Sequence, residues 1–87
     1  MLVRVRYFAA LRETLGPEES VELPPSADGT ITVGLLRDAL IARSAAHAQA
    51  LSRQRAVRCA VDQRMADDGA LVPEGVEVAF FPPVTGG

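Results

Sequence analysis

Both ends of the chain alternate residue types with a period of two. Residues 2–8 carry valine or tyrosine at every second position, starting from Val3. Residues 76–81 repeat the pattern with Val76, Val78 and Phe80. A period of two is typical of a β-strand with one buried face. The sequence therefore predicts a first and a last strand, each with its valine side toward the core.

The principal helix is predicted to begin after Thr32, whose hydroxyl can accept a hydrogen bond from an N–H group of the first turn. Val33, Leu36 and Leu40 then recur at helical spacing and define the buried side. Arg37 is expected on the outer side of this helix.

Five shorter elements complete the prediction. They are a helical turn over residues 9–15, a helix over residues 44–53 and strands over residues 21–23, 57–61 and 64–66. The resulting α+β fold packs a mixed sheet of four to five strands on one principal helix, which is the plan of ubiquitin-like β-grasp domains. We assign residues 1–81 to this domain and residues 82–87 to a flexible C-terminal tail.

Composition excludes several classes of function. The 87 residues carry a net charge of −2, which argues against binding to the nucleic-acid backbone. No apolar run approaches the roughly 18 residues that span a bilayer, so no membrane partner is expected. One cysteine excludes a disulfide framework and a cysteine-based metal cluster, and fits a cytoplasmic location. We expect neither a metal nor a bound cofactor.

The aromatic residues predict a contact surface. They form two adjacent pairs, each at the end of a terminal strand, and adjacent strand residues face opposite sides of a sheet. Phe8 and Phe81 are therefore expected on the outer face, next to each other if the first and last strands are parallel neighbours. Met65 would extend the same apolar surface.

The C-terminal segment is built to reach into a narrow space. Pro82 and Pro83 cannot continue a strand and favour an extended exit, whereas Gly86 and Gly87 have no Cβ. Six extended residues span about 20 Å. Such a tail can carry a terminal carboxylate into a channel that excludes side chains.

A carboxylate is a poor electrophile until it is activated, most naturally by adenylation with ATP. The chain has no lysine and no phosphate-binding loop, so a separate activating enzyme is implied. We do not expect the chain to be an enzyme on its own.

The sequence resembles the MoaD-type sulfur carriers, the small subunits of molybdopterin synthase. The matching stretches are residues 5–9, 11–13, 60–63 and 75–87, with Gly16. The most specific part is the ending Phe-Pro-Pro-Val-Thr-Gly-Gly. Asp62 stands where many members have asparagine, and a turn accepts either residue.

The resemblance implies a cycle of activation and sulfur transfer. A MoeB-type adenylyltransferase would use ATP to convert the Gly87 carboxylate to an acyl-adenylate, and a sulfur donor would convert this to a thiocarboxylate. The MoaE-type large subunit would then use that sulfur to build the dithiolene of molybdopterin. Gly86 would allow passage through the channel, and the tail would be positioned by Pro82, Pro83, Val84 and Thr85. The docking surface used in turn by both partners would be Phe8, Met65 and Phe81.

Other residues favour structural roles. Cys59 shares the inward parity of its strand and is expected in the core. His47 has no neighbouring ligand set, and Asp67-Asp68 is read as a turn. The basic group Arg53, Arg55 and Arg58 is read as a solvated edge that can steer an acidic partner.

Three alternatives stay open on the sequence. A carrier for thiamin synthesis or tRNA thiolation shares the fold and the Gly-Gly ending. A ubiquitin-like protein modifier would form isopeptide bonds through Gly87. A plain β-grasp interaction module would not need its tail at all.

Overall fold

The computed structural model describes residues 1–24 and 26–83. Eight elements follow in chain order: β1 (Leu2–Tyr7), α1 (Ala9–Leu15), β2 (Glu18–Glu22), α2 (Val33–Ile41), α3 (Ala45–Leu51), β3 (Arg58–Val61), β4 (Arg64–Ala66) and β5 (Glu77–Phe81). None of the helices in these ranges combines the length and the apolar character needed to cross a membrane.

The strands form one mixed sheet in the order β2-β1-β5-β3-β4. The two terminal strands, β1 and β5, are parallel neighbours, with Tyr7 opposite Phe80. The pairs β1–β2, β3–β5 and β3–β4 are antiparallel. This arrangement confirms the predicted mixed sheet and the adjacency of the first and last strands.

One apolar core unites the inner face of the sheet with the helices. Val3, Val5 and Tyr7 of β1 are buried, as are Val78 and Phe80 of β5, which confirms the predicted parity of both strands. The helices contribute Leu11, Val33, Leu36, Leu40 and Leu51. Burying a leucine or phenylalanine side chain stabilises a fold by about 1.5–3 kcal/mol, so this cluster supplies most of the driving force.

Side-chain caps fix where two helices begin. The Thr32 hydroxyl accepts a 3.2 Å hydrogen bond from the amide of Leu35 at the start of α2, as predicted. The Ser44 hydroxyl accepts a 3.1 Å hydrogen bond from the amide of His47 at the start of α3. Each cap satisfies an amide that has no partner within its helix.

The expected outward position of Arg37 is wrong. Its side chain is only 8% exposed, because α3 and the residues that follow it cover this side of α2. Nε donates to the carbonyl of Leu51 at 2.8 Å, and Nη2 donates to the carbonyls of Ser52 at 2.8 Å and Arg55 at 3.3 Å. The last carbonyls of a helix lack partners within the helix, and Arg37 donates to those of Leu51 and the C-cap Ser52 here.

Strand β2 is longer than predicted and begins earlier, at Glu18. Its sequence has little apolar alternation, but its backbone pairs with β1 from Arg6 opposite Glu18 to Leu2 opposite Glu22. Glutamates at an edge strand keep their charges in water and discourage pairing with another chain.

The β3–β4 hairpin turns through two residues with positive φ. Asp62 has φ 50° and Gln63 has φ 67°, both in the left-handed region that a type I′ turn requires. Asparagine and glycine favour this region, whereas glutamine does so poorly.

The division of the chain at residue 81 into a domain and a tail stays a prediction.

Candidate docking surface and tail base

The outer face of the sheet carries a continuous apolar row near one edge. Ala79 of β5 lies opposite Ala60 of β3, and Ala60 lies opposite Met65 of β4. Both alanines are half-buried. Because their side chains are small, they cover little of Met65, which is 62% exposed. Residues directly opposite on neighbouring strands have Cβ atoms about 5 Å apart, so this row is contiguous.

Two phenylalanines continue this row toward the end of β5. Because Tyr7 pairs with Phe80 in parallel strands, Phe8 and Phe81 occupy the next positions along β1 and β5. The amide of Phe8 donates to the carbonyl of Phe80 at 3.1 Å, which joins the end of β1 to β5. Phe8 is 38% exposed and Phe81 is half-buried.

We define the outer patch as Phe8, Ala60, Met65, Ala79 and Phe81. The predicted placement of its three larger members on the outer face is confirmed. Their role in docking stays a prediction.

The backbone around Phe8 fixes the direction of its side chain. Phe8 is the N-cap of α1, and its carbonyl accepts a 3.2 Å hydrogen bond from the amide of Leu11. The next residue, Ala9, has φ 53°, a left-handed conformation that costs an alanine roughly 1–2 kcal/mol. This sharp turn sends the chain from β1 directly into α1 and leaves the Phe8 ring at the surface.

Arg6 borders the outer patch and was given no role from the sequence. Its guanidinium carbon lies 5.3 Å from the centroid of the Phe8 ring, a cation–π geometry. Nη1 lies 3.7 Å from the Glu77 carboxylate, which also lies 3.9 Å from Nη2 of Arg4. The strand alternation, which places Arg6 two positions before Phe8, was the only sequence signal for this contact.

The predicted basic group does not act as one unit. Arg53 forms ion pairs with Asp38 and Asp68 and donates to the carbonyl of Gly34 at 3.1 Å, so it joins α2 to the loop after β4. Arg58 instead lies opposite Phe81 on the outer face of the sheet and is exposed. Only Arg58 of this group borders the outer patch.

The base of the C-terminal tail lies beside a groove. Pro82 and Pro83 are half-buried, and Pro82 lines a groove of about 310 Å³ between α1 and α3, together with Leu11, Ala50 and Arg55. The remaining tail residues named from the sequence, Val84, Thr85, Gly86 and Gly87, lie outside the described residues. The predicted role of the tail is therefore untested by the geometry.

Cys59 is a core residue, as predicted. Its side chain is buried on the inner face of β3, and burial raises the pKa of its thiol to about 11. A thiol with such a pKa is protonated at neutral pH and is a weak nucleophile.

His47 contacts two protein side chains. Its Nε2 lies 2.7 Å from Oε2 of Glu19, and its Nδ1 lies 2.7 Å from the hydroxyl of Ser44. Asp67 forms the expected turn by accepting a hydrogen bond from the amide of Gly69 at 3.0 Å.

The fold and the outer patch define a class of protein: a ubiquitin-like β-grasp domain with an apolar surface beside the strand that leads into its Gly-Gly ending. The chain belongs to the ThiS family, whose model matches residues 5–87. The resemblance inferred from the sequence is confirmed at the level of the family.

Individual relatives agree with this assignment. The chain is 36% identical over 89 residues to the molybdopterin synthase sulfur carrier subunit of Escherichia coli K12, a match that covers 99% of this chain and 100% of that protein. The crystal structure of small archaeal modifier protein 1 from H. volcanii is 28% identical, with a TM-score of 0.72 over 95% of this chain and 98% of that one.

A third match is a chain in the complex of subunits 1 and 2 of the molybdopterin-converting factor from Helicobacter pylori. It is 20% identical, with a TM-score of 0.65 and full coverage of both chains. At this identity the likeness shows the fold alone.

Proposed function

We propose that this chain is the sulfur carrier subunit of a molybdopterin synthase in molybdenum cofactor biosynthesis. Family membership and the full-length match to the E. coli carrier subunit support the proposal. The structural observation that carries it is the position of the outer patch. Phe81, the last residue of β5, belongs to this patch, so a partner docked there receives the tail that continues from β5.

The proposed chemistry takes place at the carboxyl group of Gly87. An adenylyltransferase transfers AMP from ATP to the carboxylate and releases pyrophosphate. A sulfur donor then displaces AMP and leaves a thiocarboxylate. When the synthase transfers this sulfur to the pterin precursor, water restores the carboxylate. The chain itself supplies no base and no nucleotide site in this scheme, so it acts as a non-catalytic subunit.

Two partners are proposed for one surface. The large subunit and a MoeB-type adenylyltransferase both need the tail in their active sites, so both are expected to dock on the outer patch, one after the other. The full-length match to the molybdopterin synthase sulfur carrier subunit of E. coli supports the first partner. We place the cycle in the cytoplasm, where the single free cysteine stays reduced.

Intact mass spectrometry tests the chemistry. The chain is incubated with ATP, the adenylyltransferase and a sulfide source, and one oxygen is expected to be replaced by sulfur at the C-terminus. A variant lacking Gly87 is the matched control and should not change in mass. Absence of the exchange in the full chain, while another carrier is loaded by the same enzyme, would contradict the proposal.

A second candidate is a protein modifier. The similarity to small archaeal modifier protein 1 favours it. In this case Gly87 would form isopeptide bonds with lysines of other proteins. Immunoblots of the native cell would then show conjugates of higher mass that disappear when Gly87 is deleted, whereas a dedicated carrier gives none.

A third arrangement, a carrier for thiamin synthesis or tRNA thiolation, differs in its partner. Co-purification with a molybdopterin synthase large subunit supports the leading proposal. Co-purification with a thiazole synthase supports the alternative.

A further inference from the structure

We propose that the partner surface which covers the outer patch carries carboxylates at its rim, and that Arg6 and Arg58 bind them. The inference rests on the proposed function, because it describes the chemistry of the surface that the large subunit presents. It concerns two arginines that the docking proposal itself does not use.

Arg6 has hydrogen-bonding capacity that the described residues leave unused. A guanidinium has five N–H donors in a fixed plane. The nearest carboxylate, that of Glu77, lies 3.7 Å from Nη1, beyond ordinary hydrogen-bond length, and it also faces Arg4. The buried Nε has no acceptor among the described residues. Glu18 lies opposite Arg6 in the β1–β2 register, but no oxygen of its carboxylate lies within 4.0 Å of Arg6, so Arg6 keeps N–H donors that can bind a carboxylate of the partner.

The Phe8 ring helps to hold the Arg6 guanidinium in place. The 5.3 Å contact with the ring restricts a long side chain that would otherwise move in solvent. A pre-positioned arginine loses less conformational entropy when it binds a carboxylate. Arginine beside an aromatic ring is also a typical composition for the strongest contacts of an interface.

Arg58 occupies the other side of the outer patch. It pairs in register with Phe81, is exposed, and lies within 4.0 Å of no carboxylate in residues 1–24 and 26–83. Arg6 and Arg58 lie on β1 and β3, with β5 between them. Strand spacing and rise place their Cα atoms roughly 12 Å apart, so two separate carboxylates are required.

The two arginines can orient a partner even though the whole chain is acidic. With a net charge of −2, the domain repels an acidic partner on average. Arginines that keep free donors at the border of the outer patch attract carboxylates at short range, so an acidic partner is oriented with this face toward it.

Binding of the purified large subunit, measured against salt concentration, tests the inference. Arg6→Glu and Arg58→Glu should each weaken the Kd by about tenfold or more at low salt, and the difference from wild type should shrink as salt rises. Arg64→Glu is the matched control. It makes the same change of charge beside Met65, but its register with Val61 places it on the opposite side of β4, and its Kd should change by less than about threefold.

One further variant separates charge from packing. Arg6→Met keeps an aliphatic side chain against Phe8 and should still lose about tenfold in affinity, because the charge is gone. Thermal unfolding of every variant should match wild type.

The outcomes are distinct. Equal effects of Arg58→Glu and Arg64→Glu, or a Kd that does not respond to salt, would overturn the inference alone. Failure of the wild-type chain to bind the large subunit would overturn the inference and the proposed function together.

Discussion

The phenol of Tyr7 donates a 2.8 Å hydrogen bond to Oε2 of Glu19, and the same oxygen lies 2.7 Å from Nε2 of His47. Oε1 of Glu19 lies 3.1 Å from Nε of Arg43. One carboxylate of edge strand β2 thus joins the core aromatic of β1 to residues at the end of α2 and the start of α3. Tyr7 in turn stacks on Phe80, with 6.4 Å between ring centroids.

This cluster makes the stability of the fold depend on pH in the acid range. Burial opposes ionisation of Glu19, but the hydrogen bonds from His47 and Tyr7 and the charge of Arg43 prevail and lower its pKa below the ordinary value. Because the pKa is lower in the folded state, the stabilisation is present above about pH 4.3, the ordinary value for glutamate, and is lost as pH falls through the folded-state pKa.

Glu19→Gln should therefore make the free energy of unfolding depend less on pH in the acid range. Urea unfolding at several pH values is expected to show a smaller loss below pH ~4.3 for Glu19→Gln than for wild type. Glu74→Gln, at an exposed position without an ion pair among the described residues, is the control. If both variants keep the wild-type slope, Glu19 does not contribute to acid sensitivity.

Arg37→Met should destabilise the fold by about 2–3 kcal/mol. The methionine fills similar space, but the carbonyls of Leu51 and Arg55 lose the Arg37 donor, and the Ser52 carbonyl keeps only the amide of Arg55. Urea denaturation measures the change. Arg64→Met, an exposed arginine, should change stability by less than about 0.5 kcal/mol. Equal effects of the two would show that the Arg37 hydrogen bonds contribute nothing.

Gln63→Gly should stabilise the fold by about 0.5–1 kcal/mol. Glycine adopts the φ of 67° without the steric cost that glutamine bears, and the aspartate–glycine pair is favoured in two-residue hairpins. Thermal unfolding is the measurement. Arg64→Gly, one residue further and at the first position of β4, should have the opposite sign, because glycine is disfavoured in strands. A loss of stability in Gln63→Gly would contradict the assigned turn.

Phe81→Asp should weaken binding to the large subunit by about tenfold or more and leave the fold intact. The half-buried ring lies on the outer face, so aspartate there removes apolar contact area without opening the core. Leu71→Asp changes an exposed leucine outside the outer patch and is the control. Unfolding of Phe81→Asp would show that its side chain faces the core.

The sequence predicted those features that depend on local pattern. Alternation in β1 and β5 was enough to place Tyr7 inside and Phe8 outside, and the Thr32 cap marked the start of α2. The features that the sequence did not predict depend on contacts with neighbouring strands and helices. Glu18 joins β2 because β1 offers a backbone partner, and Arg37 is buried because α3 closes over it.

The sequence predicted the position of the larger residues of the outer patch but not the contacts of the arginine at its border. Parity placed Phe8, Phe81 and Met65 on one face, since the sheet order follows from the β-grasp plan. The contact of Arg6 with Phe8 depends on side-chain conformation, which the alternation of residue types in a strand does not predict. Roles for these residues and for the tail are still predictions.

The burial of Cys59 has a practical consequence for following the sulfur. The chain has one cysteine, and its buried thiol, with a pKa of about 11, reacts slowly with iodoacetamide while the protein is folded. A thiocarboxylate at the C-terminus would be ionised and nucleophilic at neutral pH. Alkylation of the native protein is thus expected to label the loaded form selectively, and the adduct would report the fraction of carriers that hold sulfur.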